Sequence, residues 1–248
     1  MTHAGTAAIG SVSQIWRYPV SSAGGEELQS AELDANGITG DRLWGLADLG
    51  SNAVANPPER RWRSAPEIAA RTGPDRLEIR VPGADWRPAD TPEAEADLAR
   101  HFGFPVGIRR HVPFGTEGDS ASVAPRYRRA HLHILTTASM EALRAVLPPG
   151  SIVDVRRFRP NLLVRTGDGL KGLVEHEWVG RNLAIGRTVV RVVEPCSRCA
   201  FTTLAQGDLP FDKAVLGAIA RHGGGGFGVN CTILEGHRIS LGDSLELL

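Results

Sequence analysis

The sequence predicts a mainly β fold in which many short strands, joined by turns and accompanied by few helices, form a barrel or a sandwich. Apolar runs with alternating or β-branched residues recur along the chain, and Gly, Pro and Asn interrupt them at short intervals. The chain has 248 residues, of which 42% are hydrophobic, so it can fill the core of one large domain or of two small ones.

The first half of the chain is predicted to form a smaller β-rich subdomain over residues 11–129, after a flexible N-terminus at 1–10. Thr91 precedes an apolar pattern with helical spacing, which predicts a capped helix that ends at Phe102. The Pro-rich and Arg-rich stretch 51–66 has no periodicity and is interpreted as a long surface loop or lid. Strands are predicted at 12–18, 27–33, 41–47, 77–81 and 107–111, and a loop at 115–129.

The second half, residues 130–248, is predicted to contain the main β domain. Polar and apolar residues alternate over 131–135, as in a half-buried strand, and Thr137 can cap a helix over 139–146. The β-branched run 188–193 must be mostly buried, and it leads into a segment with two cysteines. Further strands are predicted at 161–165, 227–234 and 244–247, and a helix at 212–221.

Charge and composition exclude several classes of protein. The formal net charge is zero, which argues against nucleic acid as a partner because phosphate backbones require a basic surface. The sequence contains neither a membrane-length apolar run nor the pattern of a signal peptide, so we expect a cytoplasmic protein without a membrane partner. Three cysteines are too few for a disulfide scaffold, which leaves metal, redox or packing roles for reduced thiols.

Two of these cysteines, Cys196 and Cys199, have the CxxC spacing of redox dithiols and metal knuckles. We expect Arg198 to favour the thiolate of its neighbour Cys199. A closed zinc site would need Cys231 and either His222 or His237 as further ligands. A third interpretation, in which the cysteines are merely packed at a strand end, also stays open.

Arginine supplies nearly all of the positive charge, and two groups of arginines stand beside turn residues. Arg156, Arg157 and Arg159 precede Pro160-Asn161, where a rigid turn could hold an anion. Arg42 follows Gly40-Asp41, which could equally be a turn with a surface ion pair. Solvated charge is the commoner explanation of such runs.

Taken in order, these segments resemble the MOSC family, which is named for the C-terminal domain of molybdenum-cofactor sulfurases. The most specific segment is Pro195-Cys196-Ser197-Arg198-Cys199, followed by Thr202-Thr203. The other segments that are similar to the family's pattern are 15–20, 37–42, Arg157-Phe158-Arg159-Pro160-Asn161, 178–186, 227–230 and 239–243. The pattern is most similar to that of the mitochondrial amidoxime-reducing component and its bacterial counterparts.

The resemblance implies a β-barrel core and a molybdenum cofactor, molybdopterin, that reduces N-hydroxylated or N-oxygenated small molecules. Cys199 would be the catalytic residue and the thiolate ligand of molybdenum, because soft sulfur suits this metal. The residues that the resemblance implies for binding the pterin and its phosphate are Ser22, Arg42, Arg159, Asn161, Ser197 and Arg198, with Thr136 and Thr137 as weaker candidates.

One departure concerns the phosphate end of this cofactor. The relatives usually carry Val-Lys-Ser after the first strand, whereas this chain has Val20-Ser21-Ser22. No iron–sulfur or desulfurase segment accompanies the motifs, so electrons from a ferredoxin-like or flavin reductase, or sulfur from a donor, are expected from a separate partner. Pyridoxal phosphate is not expected, since Lys171 and Lys213 are the only lysines. The alternatives are a sulfurtransferase with a persulfide on Cys199 and a zinc-stapled, non-catalytic binding domain.

Overall fold

A computed structural model describes residues 8–73 and 75–248 of the chain. Its first half contains mostly short strands, several of which adjoin Gly, Pro or Asn. These strands are β1 (Ala8–Arg17), β2 (Val20–Ser21), β3 (Glu26–Leu28), β4 (Ser30–Ala31), β5 (Leu33–Asp34), β6 (Gly37–Ile38), β7 (Trp44–Asp48), β8 (Ala69–Thr72), β9 (Leu77–Arg80), β10 (Arg87–Pro88), β11 (Val106–His111) and β12 (Ser122–Val123).

The second half contains longer strands and two of the three α-helices of the described residues. The strands are β13 (Leu132–Thr136), β14 (Leu162–Thr166), β15 (Asn182–Ile185), β16 (Thr188–Ser197), β17 (Gly226–Glu235), β18 (Ile239–Ser240) and β19 (Ser244–Leu247). The α-helices are α1 (Pro92–Phe102), α2 (Thr137–Val146) and α3 (Lys213–His222), and short 3-10 helices occur at Arg60–Trp62, Ala65–Glu67, Val155–Arg157, Val174–Trp178 and Ala200–Thr203.

Seven strands form a closed barrel, in the order β14-β13-β17-β16-β15-β19-β1, and β1 returns to pair with β14. The predicted mainly β fold is therefore confirmed, and of the two predicted architectures the chain adopts the barrel. Strand β1 is antiparallel to both β14 and β19, and β3 extends the sheet from β1. Closure removes the exposed edges that an open sheet would present to other chains.

Apolar side chains fill the barrel because alternate residues of each strand point inward. Val12 and Ile15 of β1 face this core together with Cys231 of β17. A second apolar cluster lies between α2, α3 and the barrel, where the rings of Phe158 and Phe227 are 4.5 Å apart. The turn around Phe158 is therefore fixed by packing rather than solvated.

The N-terminal residues outside the barrel have a core of their own, which includes Val20, Leu46, Trp62 and Ile108. It lies against a four-stranded sheet, β12-β11-β7-β2, and a three-stranded sheet, β10-β9-β8. Trp62 belongs to the stretch 51–66, which we interpreted as a surface loop or lid. That interpretation is wrong for Trp62, which is fully buried against the rings of Phe102 and Phe104.

The N-terminal ends of α1 and α2 show how well the sequence pattern identifies the capping residues. Thr91 caps α1 as predicted, since its hydroxyl accepts a hydrogen bond from the Ala94 amide at 3.3 Å. Thr136, not Thr137, caps α2, where its hydroxyl accepts from the Ser139 amide at 3.1 Å. The prediction was one residue late because β13 runs directly into the helix.

The boundary between the two predicted domains is not a clean break in the sheets. Strand β1 belongs to the barrel although it lies within the predicted subdomain 11–129, and β18 pairs with β4. The division at residue 130 stays a prediction. Of the N-terminus predicted to be flexible, residues 1–7 lie outside the described residues, and Ala8–Gly10 lie in β1. None of the described helices combines the length and apolarity that a membrane crossing requires.

We predict that Ile15→Ala lowers the free energy of unfolding by about 2–5 kcal/mol, because Ile15 is fully buried where β1 pairs with β14 and β3. Ile152→Ala is the matched control, since Ile152 is 43% exposed and its loss should change stability by less than about 0.5 kcal/mol. Urea unfolding of both variants checks this. Equal stability of the two would show that β1 does not hold the barrel closed.

Candidate functional site

Tyr18 lies at the centre of a group of arginines where β1 leaves the barrel. The Arg159 guanidinium is 4.2 Å from the centre of the Tyr18 ring, and that of Arg42 is 5.0 Å from it. Cation–π attraction and burial hold the three side chains together. Burial raises the pKa of the Tyr18 hydroxyl, although the nearby Arg159, Arg42 and Arg198 oppose this shift. The structure thus brings three sequence-predicted arginines to one place.

Asp41 is the acidic partner in this group. Its side chain is almost fully buried, accepts a hydrogen bond from the Tyr18 amide at 2.8 Å and forms an ion pair with Arg42. Burial alone would lower the pKa of Arg42, but Asp41 and neighbouring tyrosines raise it above its usual value. Of the two interpretations of Gly40-Asp41-Arg42, the surface ion pair is therefore wrong, because the pair is buried.

Arg159 has no carboxylate within ion-pair distance among the described residues. Its guanidinium donates to the backbone carbonyls of Ala23 and Val20. Burial, together with repulsion from Arg42, lowers the pKa of Arg159 to about 10, so the group stays charged at neutral pH. The charge of Arg159 is therefore stabilised by carbonyl dipoles and by the Tyr18 ring rather than by a carboxylate side chain.

Three of the predicted cofactor residues have a left-handed backbone. The φ angles are +68° at Ser22, +52° at Arg42 and +54° at Arg159, and among described non-glycine residues only Asn52 shares this property. Each such residue costs about 1–3 kcal/mol unless its surroundings impose the conformation, and such residues cluster at binding sites. The backbone strain therefore coincides with the residues that the resemblance selects.

Asn161 connects the arginines to the barrel. Its side-chain oxygen accepts from the amide of His133 at 3.1 Å and from Arg42 at 3.3 Å, and its amide group donates to the carbonyl of Trp16 at 3.3 Å. Arg42 also donates to the carbonyl of Arg159 at 2.9 Å. Asn161 thus positions Arg42 and has little capacity left for a ligand.

In the cysteine loop, the expected pairing of Arg198 with Cys199 is wrong. The Arg198 guanidinium donates to the sulfur of Cys196 at 2.9 Å and to the carbonyl of Phe158 at 2.6 Å. Cys196 and Arg198 point to the same side because strand β16 continues to Ser197, and residues two apart in a strand share a face. Cys199 and Ser197 are exposed, and Cys199 precedes the 3-10 helix Ala200–Thr203.

The surroundings of Cys196 favour its thiolate. Burial by itself raises the pKa of this thiol, but His133 and Arg198 together lower it to about 6, below its ordinary value. Cys231 is the opposite case, because burial inside the barrel raises the pKa of its thiol. Cys231 is consequently a core residue with little reactivity.

Two further candidates lie apart from the arginines. The Thr136 hydroxyl donates to the Glu175 carboxylate at 2.7 Å, and that of Thr137 is 3.2 Å from the hydroxyl of Thr166. Thr136 is bound in the helix cap of α2 and Thr137 is bound to Thr166 of β14, so the structure does not bring them to the predicted cofactor site. The zinc interpretation also receives no support, since residues 8–73 and 75–248 contain no group of three or more His, Cys, Asp or Glu suited to a metal ion.

Two cavities are lined by members of the arginine group. The first, of about 400 Å³, is lined by Ser21, Ser22 and Arg42 and by residues 125–129. The second, of about 510 Å³, is lined by Tyr18 and Arg159. Of the sequence-predicted residues, Ser22 and Arg42 line the first cavity and Arg159 lines the second, whereas Asn161, Ser197, Arg198 and Cys199 are in neither lining.

Sequence reasoning missed Tyr18, Cys196 and the arginines at 126, 128 and 129 as functional residues. Cys196 was considered as a zinc ligand, a redox partner or a packed support residue behind the loop, because nothing in the sequence shows that Arg198 points toward it. The run Arg126-Tyr127-Arg128-Arg129 was a detectable signal, since basic residues alternating with an aromatic residue within a loop are typical of anion binding.

The site fits an anionic, polar ligand. The hydroxyl of Tyr18 and the Nε of Arg198 are buried without a hydrogen-bond partner among the described residues. Buried polar atoms without partners are rare, because each costs about 1–3 kcal/mol. Both atoms can donate a hydrogen bond, and an anion can accept from both.

Fold and site define a mainly β protein with a closed barrel and an arginine-rich cleft beside a cysteine loop. The comparisons are consistent with this description: the model of the MOSC domain matches residues 93–246, and that of the MOSC N-terminal beta barrel domain matches residues 9–97. The chain belongs to the MOSC-domain family, whose related proteins bind the molybdenum cofactor. A search of curated proteins found no match.

Among solved structures, the YuaD protein from Bacillus subtilis is similar over 96% of this chain and 94% of that chain, with a TM-score of 0.50 and 14% identity. YiiM from Geobacillus stearothermophilus is similar over 48% of this chain and 54% of that chain, with a TM-score of 0.36 and 20% identity. At such identities, the likeness to YuaD concerns the fold alone.

We predict that the alkylation rate of Cys196 rises with a midpoint near pH 6, because the thiolate is the reactive form and His133 and Arg198 stabilise it. The rate falls as the pH drops below this midpoint. Arg198→Gln should move the midpoint upward, whereas Arg144→Gln, at an exposed position of α2, should not. Peptide mapping after iodoacetamide pulses measures each thiol separately. A wild-type midpoint above about pH 8, the range of ordinary thiols, contradicts this prediction.

Proposed function

We propose that this protein binds the molybdenum cofactor and reduces N-hydroxylated or N-oxygenated small molecules with electrons from a separate protein. The observation that carries the proposal is the convergence of Arg42, Arg159 and Arg198 around Tyr18, where Asp41 is the only carboxylate of the described residues that pairs with them. This surplus of positive charge suits an anionic cofactor. Membership in the MOSC-domain family supports the same ligand.

Each arginine would have a different task. Arg42 is held by Asp41 and Asn161, so it offers a positioned charge at the edge of the first cavity. Arg159 is held by the carbonyl of Ala23 and by the rings of Tyr18 and Phe201, so it contributes a buried positive charge to the site. Arg198 has an unpartnered Nε, which can donate to the cofactor without breaking its bond to Cys196.

Cys199 would supply the thiolate ligand of molybdenum. It needs no cation beside it for this role, since a coordinating thiol loses its proton to the metal. Its exposed position at the end of β16 leaves room for a substrate to approach. When bound, the cofactor supplies the two-electron chemistry that converts an N–OH group to N–H, with two protons taken up and water released.

A second candidate function is a sulfur carrier with a persulfide on Cys199. The exposure of this thiol favours it, because a protein that donates sulfur must reach the sulfur atom directly. Both functions use Cys199, so they are separated by what the purified protein contains. Molybdenum and pterin indicate the reductase, and sulfane sulfur without metal indicates the carrier.

We predict that Cys199→Ala reduces bound molybdenum and the reduction of an aryl N-hydroxyamidine to below about a tenth of wild type, while the melting temperature stays within about 2 °C. An exposed thiol contributes little to stability, whereas loss of the metal ligand removes the chemistry. The protein is produced in a host that makes the cofactor, and molybdenum and oxidised pterin are quantified. A viologen dye supplies the electrons.

Cys196→Ala is the matched control and should keep bound cofactor and measurable activity, since Cys196 contacts Arg198 rather than the metal. Equal loss of molybdenum in both variants would contradict Cys199 as the sole ligand. Stoichiometric zinc that both substitutions release, with loss of stability, would indicate the zinc-stapled domain instead. Wild-type protein with sulfane sulfur and no molybdenum would overturn the reductase in favour of the carrier.

A further inference from the structure

The first cavity is strongly cationic. Four arginines and two histidines line it, and the described residues of its lining include no Asp or Glu. In a chain with a formal net charge of zero, this is a local concentration of one sign of charge. The basic residues are Arg42, His111, Arg126, Arg128, Arg129 and His131.

The second cavity is different, although arginines line it too. Glu67 and Asp208 belong to its lining, and Arg156 is bound to Asp208 at 2.6 Å. Arg156 also pairs with Asp154 at 2.8 Å. The second cavity therefore combines three arginines, Arg80, Arg156 and Arg159, with two carboxylates, whereas the described lining of the first combines four arginines with none. An anion is consequently attracted more strongly to the first cavity.

Within the first cavity, two of the arginines already have fixed partners. Arg42 is paired with Asp41, and Arg129 donates to the backbone carbonyls of Asn36, at 2.7 Å, and Asp41. Arg129 thereby anchors residues 125–129 against the turn that carries Arg42. This anchor holds the neighbouring Arg126 and Arg128 at the mouth of the cavity.

Arg126 and Arg128 are exposed and have no carboxylate within ion-pair distance among the described residues. The guanidinium of Arg128 lies 5.7 Å from the centre of the Phe114 ring, which also lines the cavity. Each can therefore turn its full set of donors toward a ligand. Two guanidinium groups suit a phosphate, because each can donate two parallel hydrogen bonds to its oxygens.

The opposite wall supplies smaller donors. The hydroxyl of Ser21 lies 3.1 Å from the Nε2 of His111, and both residues line the cavity with Ser22. Burial lowers the pKa of His111, and Arg129 adds to this effect. Ser21 thus offers a hydroxyl to the cavity. A longer, charged side chain at position 21 would extend into the same cavity.

We propose that the first cavity binds the phosphate group of an organic phosphate ester, and that Arg126 and Arg128 supply the charge that holds it. This proposal rests on the proposed function, because the phosphate ester would be the phosphate end of the molybdenum cofactor. Arg129 positions the two arginines, and Ser21 and His111 complete the opposite wall. A cation at position 21 would enter the same space and could replace the charge of the two arginines.

The test is a cycle of four proteins: wild type, Ser21→Lys, Arg126→Gln/Arg128→Gln, and the triple variant. We expect the double variant to bind inorganic phosphate and pyrophosphate at least about tenfold more weakly by calorimetry at low salt. Ser21→Lys should restore most of this loss in the double variant but change wild-type affinity less than about threefold. Arg144→Gln, an exposed arginine of α2, is the control and should bind like wild type.

Phosphate binding by the double variant at wild-type strength would overturn the site. So would wild-type protein that binds no phosphate, or a Ser21→Lys change that strengthens binding equally in both backgrounds. Failure of the proposed function would look different. In that case the wild type would bind phosphate in the expected pattern but would acquire no pterin in a cofactor-producing host, so the anion site would exist without that cofactor. A double variant that acquires normal pterin and molybdenum would reject the site and leave the proposed function standing.

Discussion

The balance of buried charge around Asp41 is the constraint on which the rest of the site depends. One carboxylate, almost completely shielded from water, is bound to the Tyr18 amide and to Arg42, and the guanidinium of Arg159 lies 4.2 Å from the centre of the Tyr18 ring. Removing one member of such a group would leave a buried charge uncompensated, which costs several kcal/mol. The chain therefore keeps Arg42 and Arg159 close together despite their mutual repulsion.

This arrangement also joins the barrel to the N-terminal residues. Arg159 lies in a turn of the barrel but donates to the carbonyls of Ala23 and Val20, which belong to the N-terminal part. Asn161 makes the reverse connection by holding Arg42 beside His133 of β13. Hydrogen bonds that cross between the two parts thus place the cleft at their junction, where ligand sites commonly occur.

Much of the fold could be predicted from the sequence, because periodicity and turn residues report on local structure. The helix cap at Thr91 and the main strands follow from such patterns. Closure of the barrel by β1 could not be derived from them, since its pairing with β14 and β19 depends on distant partners.

For the site, the sequence identified the residues more readily than the directions of their side chains. The resemblance selected Arg42, Arg159 and Arg198, and the structure brings these three together. It could not show that Arg198 turns to Cys196, because side-chain direction depends on where β16 ends. Left-handed backbone at Ser22 and Arg42 also has no sequence signal, since it is glycine, and to a smaller extent Asn and Asp, that indicates this conformation.

The closure of the barrel by β1 has a consequence for the order of events during synthesis. The hydroxyl of Ser13 donates to the carbonyl of Leu163, a residue 150 positions later, and β19 follows later still. The ribosome therefore releases this strand long before either partner exists, and its hydrogen-bonding edges have nothing to pair with in the meantime. Folding of the barrel cannot be completed domain by domain from the N-terminus. It must wait for β14 and β19, so folding is expected to be slow and sensitive to strand capture by chaperones or neighbouring chains.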